Sequence, residues 1–209
     1  MDRLDRTRID VPGLEVRVVD RCTSTNALLM MEKTDLPVLL AAEKQTAGRG
    51  RHGRRWHSAR GAGATFSILR RMNCEQRRLA GLSVAVGLSA ARALRRLGAR
   101  GVAVKWPNDL MVSRRKLGGI LIETRPGARE PRPGGRSSVP GSVVVVGIGI
   151  NCRAQPRLGV RLGRGVAALE HVLRRRVSRN AIIGAVAREV LCALSSWERT
   201  WEQPLEQAA

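Results

Sequence analysis

Residues 48–55 form an arginine- and glycine-rich segment that separates two apolar stretches of the chain. The segment holds three glycines and four arginines, and none of its side chains is apolar. Glycine permits positive φ angles and lets the backbone approach a ligand closely. Guanidinium groups pair with carboxylate or phosphate oxygens through two parallel hydrogen bonds. The segment therefore predicts an anion-binding loop between two strands, with a solvated basic loop as the alternative.

The stretch Gly48–Gly53 also matches the G-x-G-x-x-G pattern of dinucleotide-binding proteins, which requires a helix to begin at the last glycine. Residues 54–63 have no helical apolar period and contain two further glycines. This composition disfavours a dinucleotide-binding fold.

A formal net charge of +21 is typical of proteins that bind nucleic acid. However, only 4 of the 38 basic residues are lysines, and the arginines are spread over nearly every segment, which indicates compositional bias. Aromatic residues make up 2% of the chain, so the stacking surfaces of single-strand binders are largely missing. We expect no specific nucleic-acid partner and only salt-sensitive, nonspecific binding.

The length of 209 residues with 43% hydrophobic composition suits one domain with its own core. No C-x-x-C pair occurs among the four cysteines, so the sequence implies neither a zinc site nor a disulfide framework. We expect buried thiols in a reducing cytoplasm. The charged N-terminus does not match a secretion signal, and the longest apolar run, Val143–Ile150, is too short to span a membrane, so no membrane partner is expected.

The hydrophobic pattern predicts an α+β fold with a mixed, mostly antiparallel sheet flanked by helices. The predicted strands are Leu14–Val19, Pro37–Glu43, Ala64–Leu69, Val102–Trp106, Asp109–Val112, Leu117–Thr124 and Ser142–Ile150. The predicted helices are a short one capped by Ser24 or Thr25, Gln76–Leu97, Ala167–Arg175 and Ser178–Trp201. Residues 125–141 are rich in Pro, Gly, Arg and Ser and predict a mobile surface loop. The domain is expected to span 14–202, with tails at 1–13 and 203–209.

Two further segments carry polar groups beside breaks in strands. Lys105–Asp109 puts a cation, an amide and a carboxylate at a proline-broken strand end, although such a segment taken alone is more often a simple turn than a site. Lys116 precedes an apolar strand containing Gly118 and Gly119, which permit close approach of a ligand. The alternative for Lys116 is an edge-strand lysine that prevents aggregation.

Five segments together, in this order and at this spacing, resemble the catalytic domain of biotin protein ligases over about residues 14–200. They are Thr23–Asn26, Gln45–Trp56, Val104–Asp109, Arg115–Leu121 and Gly147–Asn151. The resemblance implies the fold shared by these ligases and class II aminoacyl-tRNA synthetases. It also implies their reaction, in which biotin and ATP form biotinyl-5′-AMP and a lysine of a biotin carboxyl carrier protein then accepts the biotin.

The resemblance implies a role for each matching residue. Biotin is expected to contact Ser24, Thr25, Asn26 and Gln45. Gly48 and Gly50 in the loop and Gly119 in the strand are also expected to lie against the ligands. Arg49 and Arg51 are expected to neutralise the carboxylate and phosphate, and Lys116 to bridge them. Trp56 and Asn151 are expected to hold the adenine. Asn108 and Asp109 are expected beside the phosphates and Mg²⁺. Lys116, Arg51 and Asp109 are the expected catalytic residues, Asp109 acting on the acceptor lysine.

The chain also departs from the pattern of larger family members. Too few residues precede Ser24 for a winged helix-turn-helix domain, and the chain stops where a C-terminal barrel usually begins, so we expect no repression and less efficient transfer to the carrier. A biotin- or adenylate-binding module and a lipoate or octanoate ligase are the alternatives. The sequence leaves open whether the protein is a monomer or a homodimer.

Overall fold

The computed structural model describes residues 2–57, 59–130, 139–173 and 177–202. Seven strands form one sheet in the order β1-β2-β3-β7-β6-β5-β4. They are β1 (Glu15–Cys22), β2 (Val38–Gln45), β3 (Gly63–Met72), β4 (Ala103–Lys105), β5 (Asp109–Val112), β6 (Arg115–Glu130) and β7 (Val139–Asn151). Only β1 and β2 pair in parallel, and the remaining pairs are antiparallel. The predicted α+β class with a mixed, mostly antiparallel sheet is confirmed.

Helices cover both faces of the sheet. They are α1 (Thr25–Met31), α2 (Leu82–Arg96), α3 (Pro156–Leu162) and α4 (Arg179–Glu202). The larger core lies under α2 and α4, where side chains such as Leu94 and Ile183 are fully buried with Phe66. A smaller cluster packs Leu29 of α1 against Leu40 and other residues on the opposite face. Strands buried on both faces need the near-continuous apolar sequence found in β2 and β7.

One predicted helix, Gln76–Leu97, is interrupted by a glycine. The segment Gln76–Leu97 contains a 3₁₀ turn at Gln76–Leu79 and then α2, because Gly81 has a φ of +86° and breaks the helix. Ala167–Arg175 was also predicted as a helix, but its described part contains only a 3₁₀ turn at Leu169–His171.

The helix α3 was not predicted. It begins at Pro156, the favoured residue for a first turn, and ends at Gly163, whose φ is +59°. This helix and the turn after it border the candidate site described below.

Strands β6 and β7 extend well into the predicted mobile loop. Residues 125–130 and 139–141 continue the strands, and the rest of that loop, 131–138, lies outside the described residues. Cross-strand pairing continues past Pro126 through a register shift, which local composition does not reveal.

The predicted N-terminal tail is packed against the domain. Leu4, Ile9 and Val11 are buried in the core, and the backbone N–H of Leu4 donates to Glu43 Oε1 at 2.6 Å. Glu43 in turn pairs with the buried guanidinium of Arg179 on α4 at 2.9 Å. The predicted C-terminal tail, 203–209, lies outside the described residues.

The cysteines only partly match the expected buried thiols. All four are free thiols, but Cys192 is exposed and Cys22 is half-buried, while Cys74 and Cys152 are buried. Burial raises the pKa of Cys152 to about 12, so this thiol stays protonated near neutral pH. Within the described part of the chain, no helix has the length and apolar character needed to cross a membrane.

Candidate active site

A cavity of about 480 Å³ opens where α1, the arginine-rich loop, the β4–β5 turn and strands β6 and β7 meet. Its volume is typical of small-molecule sites, which enclose about 300–1,000 Å³. Its lining includes most of the residues selected from the sequence: Ser24, Thr25, Asn26, Gln45, Arg49, Gly50, Arg51, Trp56, Asn108, Asp109, Lys116 and Gly119. Two of the selected residues, Gly48 and Asn151, do not line it.

One end of the cavity is neutral, polar and buried. Ser24 caps α1, its Oγ accepting a hydrogen bond from Ala27 N at 3.4 Å. Gln45 Oε1 accepts from the backbone N of Thr25 at 2.7 Å and from its hydroxyl at 3.0 Å. Ser67 Oγ lies 2.6 Å from both Thr25 Oγ1 and Asn26 Oδ1. These groups present hydrogen-bonding atoms whose positions are fixed by one another.

Two glycines of β7 make room for two side chains that line the cavity, Asn26 at the polar end and Trp56 beside it. A Cβ at Gly147 would lie 2.1 Å from Asn26 Oδ1, and a Cβ at Gly149 would lie 2.3 Å from the Trp56 ring. The glycines are therefore required by packing, because any other residue would displace Asn26 or Trp56.

The arginine-rich loop folds back on itself as a short hairpin. Trp56 N donates to Gly48 O at 2.9 Å, and Gly50 N donates to Arg54 O at 2.7 Å. Positive φ angles at His52 and Gly53 make the reversal, and the only helical turn is a 3₁₀ turn of three residues, Arg51–Gly53. The dinucleotide-binding interpretation is therefore wrong for this segment, because no α-helix begins at Gly53. Gly48 lies behind the cavity surface, where a Cβ would meet Trp56 O at 2.6 Å.

The other end of the cavity is strongly cationic. Its lining includes Arg49, Arg51, Arg54, Arg55, Lys105, Lys116 and Arg164, whereas Asp109 is the one carboxylate among the lining residues. Within the described residues, neither Arg51 nor Arg54 forms a salt bridge with a carboxylate. Such a concentration of fixed positive charge favours an anionic ligand.

Lys116 lies at the centre of this cationic end. Its Nζ forms an ion pair with Asp109 Oδ1, and both side chains are mostly buried. Burial lowers the pKa of Lys116; Asp109 opposes this shift, and the charges of Arg164 and Arg54 add to it. Gly119 leaves space beside the pair, since a Cβ there would lie 3.4 Å from Lys116 Nζ.

Asn108 lines the cavity with a side chain that already has a structural partner. Its Nδ2 donates to Ile120 O at 2.8 Å, and its backbone O accepts from Ile120 N at 2.9 Å. The peptide bond between Trp106 and Pro107 is cis, and the Trp106 side chain is exposed at the rim.

Asn151 lies outside the cavity, in a small adjoining cleft that it lines with Trp56, Leu158 and Arg164. Its Nδ2 points toward Lys116 O at 3.4 Å. Trp56 lines both this cleft and the cavity, and its buried Nε1 has no hydrogen-bond partner among the described residues.

The sequence did not point to Arg164, Ser67 or Glu123. Arg164 reaches the site because the turn after α3 pairs with the first residues of β6: Lys116 N donates to Gly165 O and Ala167 N to Lys116 O, both at 2.9 Å. Glu123 bonds to Asn26 and Arg49 from the middle of β6. Ser67 and Glu123 are polar residues within apolar strands, and this was the one sign of a role in the sequence. Their partners became clear only from the pairing of the strands.

The described residues contain no cluster of three or more His, Cys, Asp or Glu side chains suited to hold a metal ion. Asp109 is therefore a single carboxylate, and a divalent cation here would need most of its ligands from a bound anion.

Comparison with known proteins shows the family to which the chain belongs. The sequence profile of the biotin/lipoate A/B protein ligase family matches residues 17–131, more than half of the chain. The chain is 34% identical over 189 residues to the bifunctional ligase/repressor BirA of Escherichia coli, covering 90% of this chain and 56% of that protein. It is 32% identical over 196 residues to the biotin–[acetyl-CoA-carboxylase] ligase of Mycobacterium tuberculosis, covering 88% of this chain and 65% of that protein. The match thus spans little more than half the length of the E. coli relative.

Solved structures share the fold. The biotin protein ligase from Aquifex aeolicus in complex with biotin and ATP superposes with a TM-score of 0.70 at 25% identity, covering 88% of this chain and 72% of that one. The biotin protein ligase from Leishmania major in complex with biotinyl-5-AMP gives a TM-score of 0.69 at 22% identity, covering 92% and 78%, and supports the fold alone.

Proposed function

The chain belongs to the biotin/lipoate A/B protein ligase family, and from this premise we propose that it is an ATP-dependent biotin protein ligase. It joins biotin to AMP as biotinyl-5′-AMP and transfers the biotin to a lysine of a biotin carboxyl carrier protein, the substrate subunit of an acyl-CoA carboxylase. The four free thiols are consistent with action in a reducing cytoplasm.

The observation that carries the proposal is the division of the cavity into a neutral polar end and a cationic end. The neutral end offers the donors and acceptors of Thr25, Asn26 and Gln45, which suit the ureido ring of biotin. The cationic end suits the biotin carboxylate and the ATP phosphates. A lipoyl or octanoyl chain carries no ureido group that could hydrogen-bond to these polar atoms, whereas the ureido ring of biotin offers both donors and an acceptor. The polar end therefore favours biotin over those acids.

In the first step, a carboxylate oxygen of biotin attacks the α-phosphorus of ATP, and the bond from that phosphorus to the departing pyrophosphate breaks. Negative charge builds up on the phosphoryl oxygens in the transition state. Lys116 and Arg51 line the cationic end and would stabilise this charge without a change of position. Arg51 would also order the loop over the adenylate, since it begins the turn at its tip.

The nucleotide base would lie against Trp56, which lines both the cavity and the cleft of Asn151. The Nε1 of Trp56 is buried and has no hydrogen-bond partner among the described residues, so a small shift of the ring on binding would let it donate to an acceptor on the ligand. Arg164 sits at the junction of the two spaces and would contact the phosphates. Asn151 would act through the cleft rather than in the cavity itself.

In the second step, the amine of the acceptor lysine attacks the carbonyl carbon of the mixed anhydride, and AMP leaves. The attacking amine must lose a proton, for which Asp109 is the lining carboxylate. Mg²⁺ would arrive with the nucleotide, since the phosphates supply most of its oxygen ligands and Asp109 can supply one more. The ion would neutralise phosphate charge, and the protein side chains would orient the reactants.

Intact-protein mass spectrometry tests the proposal as a whole. The chain is incubated with ATP, Mg²⁺, a biotin carboxyl carrier domain and either biotin or lipoate. The expected result is one biotin added per carrier domain and no addition of lipoate. Addition of lipoate in preference to biotin, or no addition of either, would reject the proposed activity.

A further inference from the structure

Glu123 joins the two ends of the cavity through a single carboxylate oxygen. Its Oε2 accepts a hydrogen bond from Asn26 Nδ2 at 2.8 Å and forms a salt bridge with Arg49 Nη2 at 2.9 Å. The Glu123 side chain is 27% exposed and the Arg49 side chain is 45% exposed, so water reaches part of this ion pair. One residue thus contacts both the polar wall and the arginine-rich loop.

The contact with Asn26 decides which way the amide of that residue points. Asn26 Oδ1 faces the hydroxyl of Ser67 at 2.6 Å, and its Nδ2 donates to Leu121 O at 3.2 Å as well as to Glu123. Two acceptors on the Nδ2 side, one of them charged, fix this orientation, because the flipped amide would place its oxygen against both. Glu123 therefore determines which atoms of Asn26 are presented in the cavity.

The contact with Arg49 separates this arginine from the other arginines of the loop. The positive charge of Arg49 is already matched by Glu123, whereas Arg51 and Arg54 form no salt bridge with any described carboxylate. An arginine held by a protein carboxylate is less available to a substrate carboxylate than its free neighbours are. The paired Arg49 instead holds the loop against β6.

We propose that Glu123 is a positioning residue for biotin recognition, and that Arg49 acts through Glu123 by closing the loop over the polar end rather than by binding the substrate anion. This inference rests on the proposed function. It differs from the role that family resemblance implies for Arg49, which is neutralisation of the carboxylate and phosphate. The anion would then be held by Arg51, Arg54 and Lys116.

A double-mutant cycle tests the inference by biotin-dependent exchange of labelled pyrophosphate into ATP. Arg49→Gln and Glu123→Ala are each expected to raise the KM for biotin, by about tenfold for an interaction of this kind, while kcat, the KM for ATP and the Tm change little. The double variant is expected to match Glu123→Ala alone, since Arg49 has no role without its partner. Glu123→Gln keeps an acceptor for Asn26 and is expected to fall between wild type and Glu123→Ala.

If the KM for biotin in the double variant rises by the product of the two single effects, Arg49 contacts the substrate independently of Glu123. That result would overturn the inference. An unchanged KM for biotin in Glu123→Ala would overturn it as well. If Glu123→Ala does not fold, Glu123→Gln with Arg49→Gln completes the same cycle. Glu32→Gln is the matched control, because it removes another partly exposed pair, with Arg17, away from the cavity. Absence of exchange in the wild-type chain would reject the proposed function instead, so the two failures are distinguishable.

Discussion

Lys116 Nζ donates a hydrogen bond to the Asp109 carboxylate across the β5–β6 pair. The register shift between Leu110 and Met111 pairs Lys116 with Met111, which lies two residues from Asp109 and therefore on the same face of the sheet. Gly119 leaves the space beside the ion pair open. The cation at the centre of the site is thereby fixed by a neighbouring strand before any ligand is present. Preorganised charge of this kind is effective in catalysis because it needs no rearrangement during the reaction.

Replacing Lys116 by Met keeps the length of the side chain and removes its charge. We expect the rate of adenylate formation to fall by about 10²–10³-fold, since losing one preorganised charge contact to a transition state costs roughly 2.7–4 kcal/mol. Single-turnover formation of biotinyl-5′-AMP measures this directly. Lys44→Met is the control, because Lys44 is an exposed lysine on β2 that does not line the cavity. A wild-type rate in Lys116→Met would assign the lysine a structural role only.

The two glycines of β7 give a pair of selective predictions. Gly147→Ala should displace Asn26 and raise the KM for biotin, whereas Gly149→Ala should displace Trp56 and raise the KM for ATP. Overpacking of this kind costs about 1–3 kcal/mol. Each variant serves as the control for the other in steady-state exchange kinetics. Equal effects of both variants on both substrates would contradict the assignment of one end to biotin and the other to the nucleotide.

Arg164 is predicted to contribute to nucleotide binding. It lines the cavity beside Lys116 without a carboxylate partner in the described part of the chain, and its charge lowers the pKa of Lys116 after the larger effect of burial. Arg164→Gln should raise the KM for ATP by about tenfold, the loss expected for one charged hydrogen bond of about 1.5 kcal/mol, and leave the KM for biotin unchanged. Arg100→Gln, an exposed arginine away from the cavity, is the control. An unchanged KM for ATP would remove Arg164 from the site.

Stability at acid pH is predicted to depend on the buried pair of Glu43 and Arg179. Burial alone would raise the pKa of Glu43, but the Arg179 guanidinium and the Leu4 amide outweigh it and hold this pKa below its ordinary value of 4.5. A lowered carboxyl pKa gives stability that is fully present above the ordinary value and is lost as the pH falls through the lowered value. The free energy of unfolding should therefore decline below about pH 4.5.

Urea unfolding between pH 7 and pH 3 measures this dependence. Glu43→Gln should flatten the acid limb and lower the stability at pH 7 by about 3 kcal/mol, because Arg179 would lose its principal buried counter-charge. Glu32→Gln, which removes a partly exposed pair with Arg17, is the control and should leave the profile nearly unchanged. An acid limb in Glu43→Gln as steep as that of wild type would show that other carboxyl groups dominate.

Much of the fold was predictable because the strands carry continuous apolar sequence and the turns carry Gly, Pro or Asn. The helix cap was predicted at Ser24 or Thr25 and lies at Ser24, and the two strands predicted on either side of Pro107 pair as β4 and β5. The break of the long helix at Gly81 was missed, since a single glycine inside an amphipathic pattern is often tolerated. The continuation of β6 and β7 past residue 124 depends on pairing between the strands rather than on composition.

The site was predictable where neighbouring residues in the sequence act together, as in the arginine-rich loop and Lys116. It was not predictable where distant segments meet. Glu123 reaches Asn26 and Arg49 across 97 and 74 residues of sequence, and these contacts depend on the register of β6. The position of Arg164 depends on an isolated parallel β-bridge between Lys116 and Val166, which no local sequence pattern indicates.

The protein is proposed above all to form biotinyl-5′-AMP from biotin and ATP in this cavity. Biotin-dependent exchange of labelled pyrophosphate into ATP measures this half-reaction without any carrier protein, and its reversal requires the adenylate to remain bound. We expect exchange that depends on biotin and Mg²⁺, that does not occur with lipoate or octanoate, and that Lys116→Met slows by about 10²–10³-fold. Exchange with lipoate but not biotin, or the absence of exchange in freshly folded wild-type protein, would contradict the account.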